Sequence, residues 1–232
     1  MYDTQVGVDL AKDVIQVCIY RNKKVQSNIE MTPTEFLSWL INSKPATIIF
    51  EACGTSNYWK QKATEAGHDA RLISAKLVSA VRQNQKTDKN DALAIIQAAL
   101  LPDVTFIGGK TVKQQQLQSI KRLTELAVKQ QSASQKQLVS LLLELNIRIS
   151  NKKGGMVSAI AALLEDAEND LSAEFRAALN AAKNQLTALI DIVNIYDECL
   201  AKSVEAHPDC KKLLKLEGVG VINVINLYIA LG

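Results

Sequence analysis

Two aspartates stand three residues apart in the stretch KTDKNDALAI, residues 86–95, where a helix is predicted to begin. If Asp88 and Asp91 are both helical, this spacing places their carboxylates on one face of the helix. Because like charges on one face repel each other, the pair must be solvated or neutralised by a positive group.

Two further acids each close an apolar strand, Asp9 in VGVDLAK and Glu51 in IIFEACG. A carboxylate at such a place is costly to bury unless it accepts hydrogen bonds or binds a cation. Each acid also has a purely structural interpretation. Asp9 could cap the turn after its strand, and Glu51 could lie at a solvated strand end. Asp88 could be a helix N-cap, and Asp91 could interact favourably with the helix dipole.

Taken together, these acids indicate a metal site, because the carboxyl ends of neighbouring strands and the start of a later helix can converge on one point. Carboxylate oxygens suit Mg²⁺ or Mn²⁺. A pair of such ions can activate a nucleophile and stabilise a leaving oxygen on a phosphate. The hypothesis is therefore phosphoryl transfer on nucleic acid, with four metal ligands that are also catalytic: Asp9, Glu51, Asp88 and Asp91.

The elements that must position these acids alternate between strands and helices. The segments QVGVDLA, VIQVCIY and KVQSNIEM predict three strands, with a hairpin turn at Asn22 between the second and third. TPTEFLSWLINS, SNYWKQKATEAG and AKLVSAVRQ predict helices, and ATIIFEA and HDARLIS predict two more strands. This order predicts an α/β domain with a mixed sheet, which we place at residues 1–109 because LLPDVTFIGG breaks the pattern.

Beyond residue 110 the chain is predicted to be almost wholly helical. Apolar residues recur at alternating spacings of four and three from Phe175 to Leu200, which is typical of a coiled-coil seam. We predict a coiled-coil arm at residues 110–209, with a bend at SNKKGG (150–155), in which the seam mediates self-association. Residues 210–232 predict a helix end, a glycine turn and the start of an apolar helix.

The net charge of +3 conceals a segregation of charge along this arm. Residues 110–153 hold nine Lys or Arg against two acids, whereas residues 154–209 hold three against ten. The two segments could attract each other as an antiparallel hairpin, or the basic one could lie along a phosphate backbone. For the second case we predict five nucleic-acid contacts: Lys113, Lys121, Arg122, Lys129 and Lys136.

Composition excludes several classes of protein. The chain is 47% hydrophobic and 22% charged, and it has no run of about 20 apolar residues that could span a membrane. Its four cysteines show neither a C-x-x-C pair nor a metal-ligand spacing with the two histidines, so we expect neither zinc nor disulfides. We expect a cytoplasmic, unprocessed protein. Tyr58 and Trp59 could stack on a base or pack in the core.

Three motifs, VGVDLAKD, FEACGTSNYW and KTDKNDALAI, resemble in their order and spacing the DEDD transposases of insertion-sequence family one hundred and ten (IS110) and the related Piv-type DNA invertases. The segment LEGVGVINVINLYIALG resembles the helix-hairpin-helix-like segment of that family. The resemblance implies a RuvC-like fold of the ribonuclease H type, in which Asp9, Glu51, Asp88 and Asp91 match the four acids. It also implies a dimerisation arm, giving a homodimer or higher oligomer, and a structured guide or bridge RNA that selects the DNA sites.

One departure from the family concerns the nucleophile. The resemblance implies a serine in a C-terminal domain, and no serine of residues 1–232 lies in the matching motif. We therefore expect metal and nucleic-acid binding from this chain, and no strand exchange by this chain alone. Two alternatives are a non-catalytic nucleic-acid-binding or regulatory module of the same fold, and a RuvC-like metal-dependent nuclease in which the acids suffice without serine.

Overall fold

The chain divides between Thr111 and Val112 into two sets of contacts in the computed structural model, which we call the strand unit (residues 1–111) and the helical unit (112–232). The structure describes residues 3–82, 87–149 and 155–231, and the side chains of Asp88, Asp209 and Leu231 lie outside that description. The predicted boundaries at residues 109 and 209 stay predictions. Most of the predicted bend SNKKGG, residues 150–154, falls outside the described residues.

A five-stranded mixed sheet forms the centre of the strand unit. The strands are β1 (Thr4–Leu10), β2 (Ile15–Arg21), β3 (Lys24–Met31), β4 (Thr47–Glu51) and β5 (Asp69–Ile73). They lie in the order β3-β2-β1-β4-β5, with β1, β2 and β3 antiparallel and β1, β4 and β5 parallel. The predicted mixed α/β sheet is confirmed, and it is consistent with the RuvC-like fold that the resemblance implies.

The β2–β3 connection is a two-residue hairpin turn at the position predicted from the sequence. Asn22 and Lys23 have φ of 51° and 59°. Positive φ at both central residues is the type I′ geometry, whose twist matches that of the flanking strands. This turn sets the register that pairs Tyr20 with Val25, and an irregularity between Ile19 and Tyr20 then shifts the pairing by one residue, so that Cys18 pairs with Asn28.

Helices cover both faces of the sheet: α1 (Pro33–Asn42) and α2 (Ser56–Glu65) on one, α3 (Ala75–Val81) and α4 (Asp88–Ala99) on the other. Phe36 of α1 and Trp59 of α2 pack against alternate residues of β1 and β4, including Val8 and Phe50. On the opposite face, Ile49 packs against Ile95 of α4. Because strand residues alternate between faces, the even-numbered residues of β1 and β4 face α1 and α2, and the odd-numbered residues face the side covered by α4.

Gly7 of β1 lies in close contact with α4. A Cβ atom on Gly7 would collide with the backbone carbonyl oxygen of Ala92 and lie 2.7 Å from Cγ1 of Ile96. Only glycine leaves room for the helix at this position. The contact fixes how far α4, which carries Asp91, stands from the strand that carries Asp9.

The helical unit contains two 33-residue helices, α5 (Val112–Glu144) and α7 (Ala173–Glu205). Leu142, near the end of α5, packs in a cluster with Leu179 near the start of α7. Leu117, near the start of α5, packs in another cluster with Val204 near the end of α7. The two helices are therefore antiparallel. The shorter helices are α6 (Gly155–Glu165), α8 (Pro208–Leu213) and α9 (Val221–Leu231).

The predicted seam of α7 is buried inside this chain. Leu179, Leu186, Val193 and Leu200 are all buried, and the residues that cover Leu179 and Leu186 include Leu138 and Leu142 of α5. The spacing thus correctly indicated an apolar stripe, but the stripe packs within the chain. The coiled coil and the self-association stay predictions. A second copy of the chain would have to bind to a different face of the hairpin.

A glycine turn lies between helices α8 and α9, as the sequence pattern indicated. Gly218 has a φ of 79°, a backbone conformation that favours glycine. Val224 and Ile225 of α9 pack with Leu200 of α7, so this pair of helices closes the base of the long hairpin. No helix in the described part of the chain is long and apolar enough to cross a membrane.

Candidate active site and basic face

Asp9 and Glu51 occupy neighbouring positions at the carboxyl ends of two parallel strands. Val8 of β1 pairs with Phe50 of β4, so the next residue on each strand is an acid. Val8 and Phe50 point into the core under α1 and α2, which places both acids on the face covered by α4. Adjacent strands are about 4.8 Å apart. The structure thus brings these two predicted residues together.

Asp91 lies in the first turn of α4 and is 6% exposed. Its Oδ1 accepts a hydrogen bond from Nη1 of Arg82 over 2.7 Å. The residue that caps this helix is Thr87, whose hydroxyl accepts a hydrogen bond from the backbone N–H of Asn90. The alternative that Asp88 is the N-cap is therefore wrong. Asp88 begins α4, but its side chain is outside the described residues.

The first turn of α4 lies against the sheet face that carries Asp9 and Glu51. Asp91 directly precedes Ala92, whose carbonyl oxygen limits the space over Gly7, and Asp9 follows Gly7 by two residues on the same face of β1. A hydrogen bond of 2.9 Å from Nδ2 of Asn28 to the carbonyl of Lys89 holds the same turn against β3. The sheet and α4 therefore hold Asp9, Glu51 and Asp91 on one face, towards the carboxyl ends of β1 and β4. We call this region the acidic edge.

The donor chemistry of this edge fits a hard divalent cation. All four predicted ligands offer carboxylate oxygens, which Mg²⁺ and Mn²⁺ prefer. Asp91 is already neutralised by a cation, the guanidinium of Arg82. Among the side chains that the structure describes, no three acids, histidines or cysteines lie close enough to hold one metal ion. The four-ligand set includes Asp88 and stays a prediction.

A groove of about 500 Å³ lies between the segments that follow the two strand-end acids and the starts of α1 and α2. Its lining includes Leu10 and Lys12, which follow Asp9, and Cys53 and Tyr58, which follow Glu51. The two adjacent aromatic residues differ: Trp59 is 8% exposed and packs on Phe36, whereas Tyr58 is 47% exposed. Core packing is therefore confirmed for Trp59, and Tyr58 is available to a ligand in this groove.

Three of the five predicted nucleic-acid contacts form one line on α5, which we call the basic face: Arg122, Lys129 and Lys136. Their seven-residue spacing returns to nearly the same side of a helix every two turns. All three are exposed, and each lies two residues, or about 200° around the helix, from a buried residue (Thr124, Ala127 or Leu138). The basic face therefore points away from the stripe that contacts α7 and is roughly 21 Å long at 1.5 Å per residue.

The other two predicted contacts lie elsewhere on α5. Nζ of Lys121 lies 2.7 Å from Oε1 of Glu125 one turn later. This hydrogen bond, together with the charges of Lys121, Lys129 and Arg122, lowers the pKa of the Glu125 carboxyl below its usual value. No ion pair joins α5 to α7 among the residues described, and the clusters that join the two helices are apolar.

Lys113 lines a cavity of about 290 Å³ at the base of the hairpin, together with His207 and Tyr228. The Tyr228 hydroxyl lies 3.0 Å from Nε2 of His207, and the two rings are 4.4 Å apart. Sequence reasoning missed this pair, and it also missed Arg82. Nothing in the local sequence pattern identifies Arg82 as the partner of Asp91, because the contact depends on how α3 and α4 pack.

Comparison with known proteins gives one family and several relatives. The family model of the IS110-type DEDD transposases, described as a transposase, matches residues 6–147. The transposase for insertion sequence element IS1111A of Coxiella burnetii is 28% identical over 228 residues, which cover 98% of this chain and 63% of that protein. A probable family 20 transposase of Pseudomonas aeruginosa is 28% identical over 225 residues, covering 95% of this chain and 66% of that protein.

A third relative, the transposase for insertion sequence element IS1328 of Yersinia enterocolitica, is 22% identical over 231 residues, which cover 99% of this chain and 68% of that protein. The chain thus spans about two thirds of the length of these curated relatives. The family match includes the strand unit from Val6 onward and all of α5. On this evidence, the chain belongs to the IS110 family of DEDD transposases.

Proposed function

We propose that the chain takes part in site-specific DNA transposition and that its strand unit supplies a metal-dependent centre acting on DNA phosphodiesters. The observation that carries this proposal is the placement of Asp9 and Glu51 side by side at the ends of β1 and β4, with Asp91 on the helix that covers the same face. Family membership supports DNA as the partner.

In this proposal Asp9, Glu51, Asp88 and Asp91 hold Mg²⁺ or Mn²⁺. When bound, the cation supplies Lewis-acid stabilisation of charge that develops on the phosphate oxygens. The contact of α4 with Gly7 sets the separation of Asp91 from the strand-end acids. The groove beyond the acids would receive the adjoining nucleotide, with Tyr58 stacking on a base and Lys12 close to a phosphate.

The basic face is the proposed contact for a nucleic-acid backbone. Three exposed cations in line, directed away from the packed side of the hairpin, suit phosphate contacts that do not read sequence. We assign this face to a structured guide RNA or to DNA. Strand exchange is proposed to require a serine-bearing domain in addition to the residues described here.

Self-association is proposed through a different part of the hairpin from the α7 seam. Leu123 and Leu126 of α5 and Ile192 and Ile195 of α7 are exposed. Ile195 lies two residues from the buried Val193 and therefore points away from α5. The proposed interface is accordingly the α5 pair, Leu123 and Leu126, which lie about one turn apart beside the basic face. Exposed apolar side chains of this size favour burial against another copy.

A metal titration tests the centre. We expect the 232-residue chain to bind Mn²⁺, detected by electron paramagnetic resonance, and D9N or E51Q to weaken that binding about tenfold or more. The matched control is D69N, because Asp69 starts β5 and lies at the opposite end of the parallel strands from Glu51. Equal Mn²⁺ affinity in wild type, D9N and E51Q would refute the proposed centre.

One observation favours the alternative of a non-catalytic binding module. The ion pair of Asp91 with Arg82 gives this buried carboxylate a structural partner without any metal. Metal-dependent cutting of DNA by the purified chain separates the possibilities further. Cutting that depends on Asp9 would favour the nuclease, whereas nucleic-acid binding unaffected by both Mn²⁺ and D9N would favour the binding module.

A further inference from the structure

The ion pair between Arg82 and Asp91 joins the end of one helix to the start of the next. Arg82 directly follows α3, and its side chain is 23% exposed, while that of Asp91 is 9% exposed. In the four other ion pairs of the described residues the acid is 35% to 71% exposed. Asp91 is therefore the least hydrated acid in these pairs, and its need for a positive partner is the strongest.

We propose that Arg82 is an internal counter-cation that holds Asp91 until a divalent cation binds, and that the released guanidinium then contacts a phosphate of the bound nucleic-acid strand. The inference rests on the proposed metal centre. It assigns to Arg82 a positioning role and a second ligand, a phosphate group, for which a guanidinium has the matching planar fork of donors.

Competition between the two cations follows from distance and charge. A divalent ion bound to Asp91 would lie about 2.1 Å from a carboxylate oxygen, and Nη1 of Arg82 is 2.7 Å from Oδ1 of the same carboxylate. An ion on that same oxygen would lie within about 5 Å of Nη1 in a poorly hydrated place, where like charges repel strongly. Simultaneous binding is therefore disfavoured, and the divalent ion displaces the side chain.

The backbone around Arg82 allows this exchange without unfolding a helix. The N–H of Arg82 donates a hydrogen bond of 3.1 Å to the carbonyl of Val78, which anchors the residue to the last turn of α3. Val78 itself is buried against Ile95 and Ala98 of α4. Rotation of the Arg82 side chain alone can therefore break its contact with Asp91 while α3 and α4 stay packed.

The test compares R82Q with R82K and with a matched control, R71Q. The Arg71–Asp69 pair has the same 2.7 Å separation but lies on β5 and is more exposed, at 28% and 35%. Mn²⁺ affinity is measured by electron paramagnetic resonance, and melting temperature is measured in EDTA and in Mn²⁺. A second readout is the salt dependence of DNA binding in Mn²⁺.

We expect R82Q to melt at a lower temperature than wild type in EDTA, because the substitution leaves the buried Asp91 carboxylate without its charged partner. We also expect R82Q to bind Mn²⁺ about tenfold more tightly, because a charge-assisted hydrogen bond no longer competes with the metal. R82K keeps the charge and should bind Mn²⁺ within about threefold of wild type. R71Q should leave Mn²⁺ affinity unchanged. In Mn²⁺, R82Q should lower the salt slope of DNA binding by about one phosphate contact.

A Mn²⁺ affinity of R82Q equal to or weaker than that of wild type would overturn the inference. If D9N still abolished Mn²⁺ binding in that case, the proposed metal centre would stand and only the role of Arg82 would fall. If neither wild type nor R82Q bound Mn²⁺, the metal centre and the inference would fall together.

Discussion

Replacing Gly7 with alanine tests whether close contact between α4 and β1 sets the geometry of the acidic edge. The new Cβ would collide with the carbonyl oxygen of Ala92 and lie 2.7 Å and 3.3 Å from Cγ1 and Cδ1 of Ile96. Ile96 can change rotamer, but the carbonyl belongs to the backbone of α4. The substitution must therefore move the helix or the strand.

The expected loss of stability depends on the fact that the blocking atom belongs to the backbone of α4. Overpacking a core by one methyl group costs about 1–3 kcal/mol, and the upper end applies because a backbone atom blocks relaxation. A loss of about 3 kcal/mol in the free energy of unfolding corresponds to a fall of roughly 12 °C or more in melting temperature for a unit of this size. Displacement of α4 should also weaken Mn²⁺ binding, because Asp91 moves with the helix.

Tryptophan fluorescence provides an assay confined to the strand unit, because both tryptophans of the chain, Trp39 and Trp59, lie within it. Urea titrations of wild type and G7A would give the difference in unfolding free energy. The control is G54A, since a Cβ on Gly54 would meet no atom within 4 Å. A loss in G7A below about 1 kcal/mol, or equal to that of G54A, would refute the reasoning.

Three further predictions concern the helical unit. Reversing all three charges of the basic face should weaken binding to every DNA or RNA sequence alike and reduce the slope of log affinity against log salt by about 2 to 3. The control is K202E on α7, which should leave the slope unchanged. An unchanged slope in the basic-face variant would show that this face does not contact nucleic acid. L186E should destabilise the hairpin by about 4 kcal/mol or more in circular dichroism melts, because Leu186 is fully buried. The exposed pair L123E/L126E should change stability little and yield monomers in light scattering, and a persistent oligomer would place the interface elsewhere.

Much of the fold follows from local sequence patterns. Alternating apolar residues and turn signals indicated all five strands in their order along the chain, and Asn22 marked the hairpin turn, because these features depend on neighbours in sequence. The seam of α7 was predicted from its spacing, but a seven-residue period does not identify the helix that covers it. The covering helix is α5 of the same chain, so the interface predicted for a second copy has to be moved.

The candidate site was predictable in its acids but not in their partners. Asp9 and Glu51 were recognisable because each ends an apolar strand, and the parallel pairing of β1 with β4 brings them together. The contact of Arg82 with Asp91 depends instead on how α3 and α4 pack against each other on one face of the sheet. A basic residue nine positions before an acid gives no sequence signal of such a pair.

The antiparallel hairpin also constrains the order in which the chain can fold on the ribosome. Leu142 meets Leu179, whereas Leu117 meets Val204, so partners near the bend are synthesised much closer in time than partners at the base. At about 5–20 residues per second, the apolar stripe near Leu117 waits roughly 4 to 17 seconds for its cover. We expect the hairpin to close from the bend towards the base, which leaves the stripe at the start of α5 exposed to other nascent chains for the longest time.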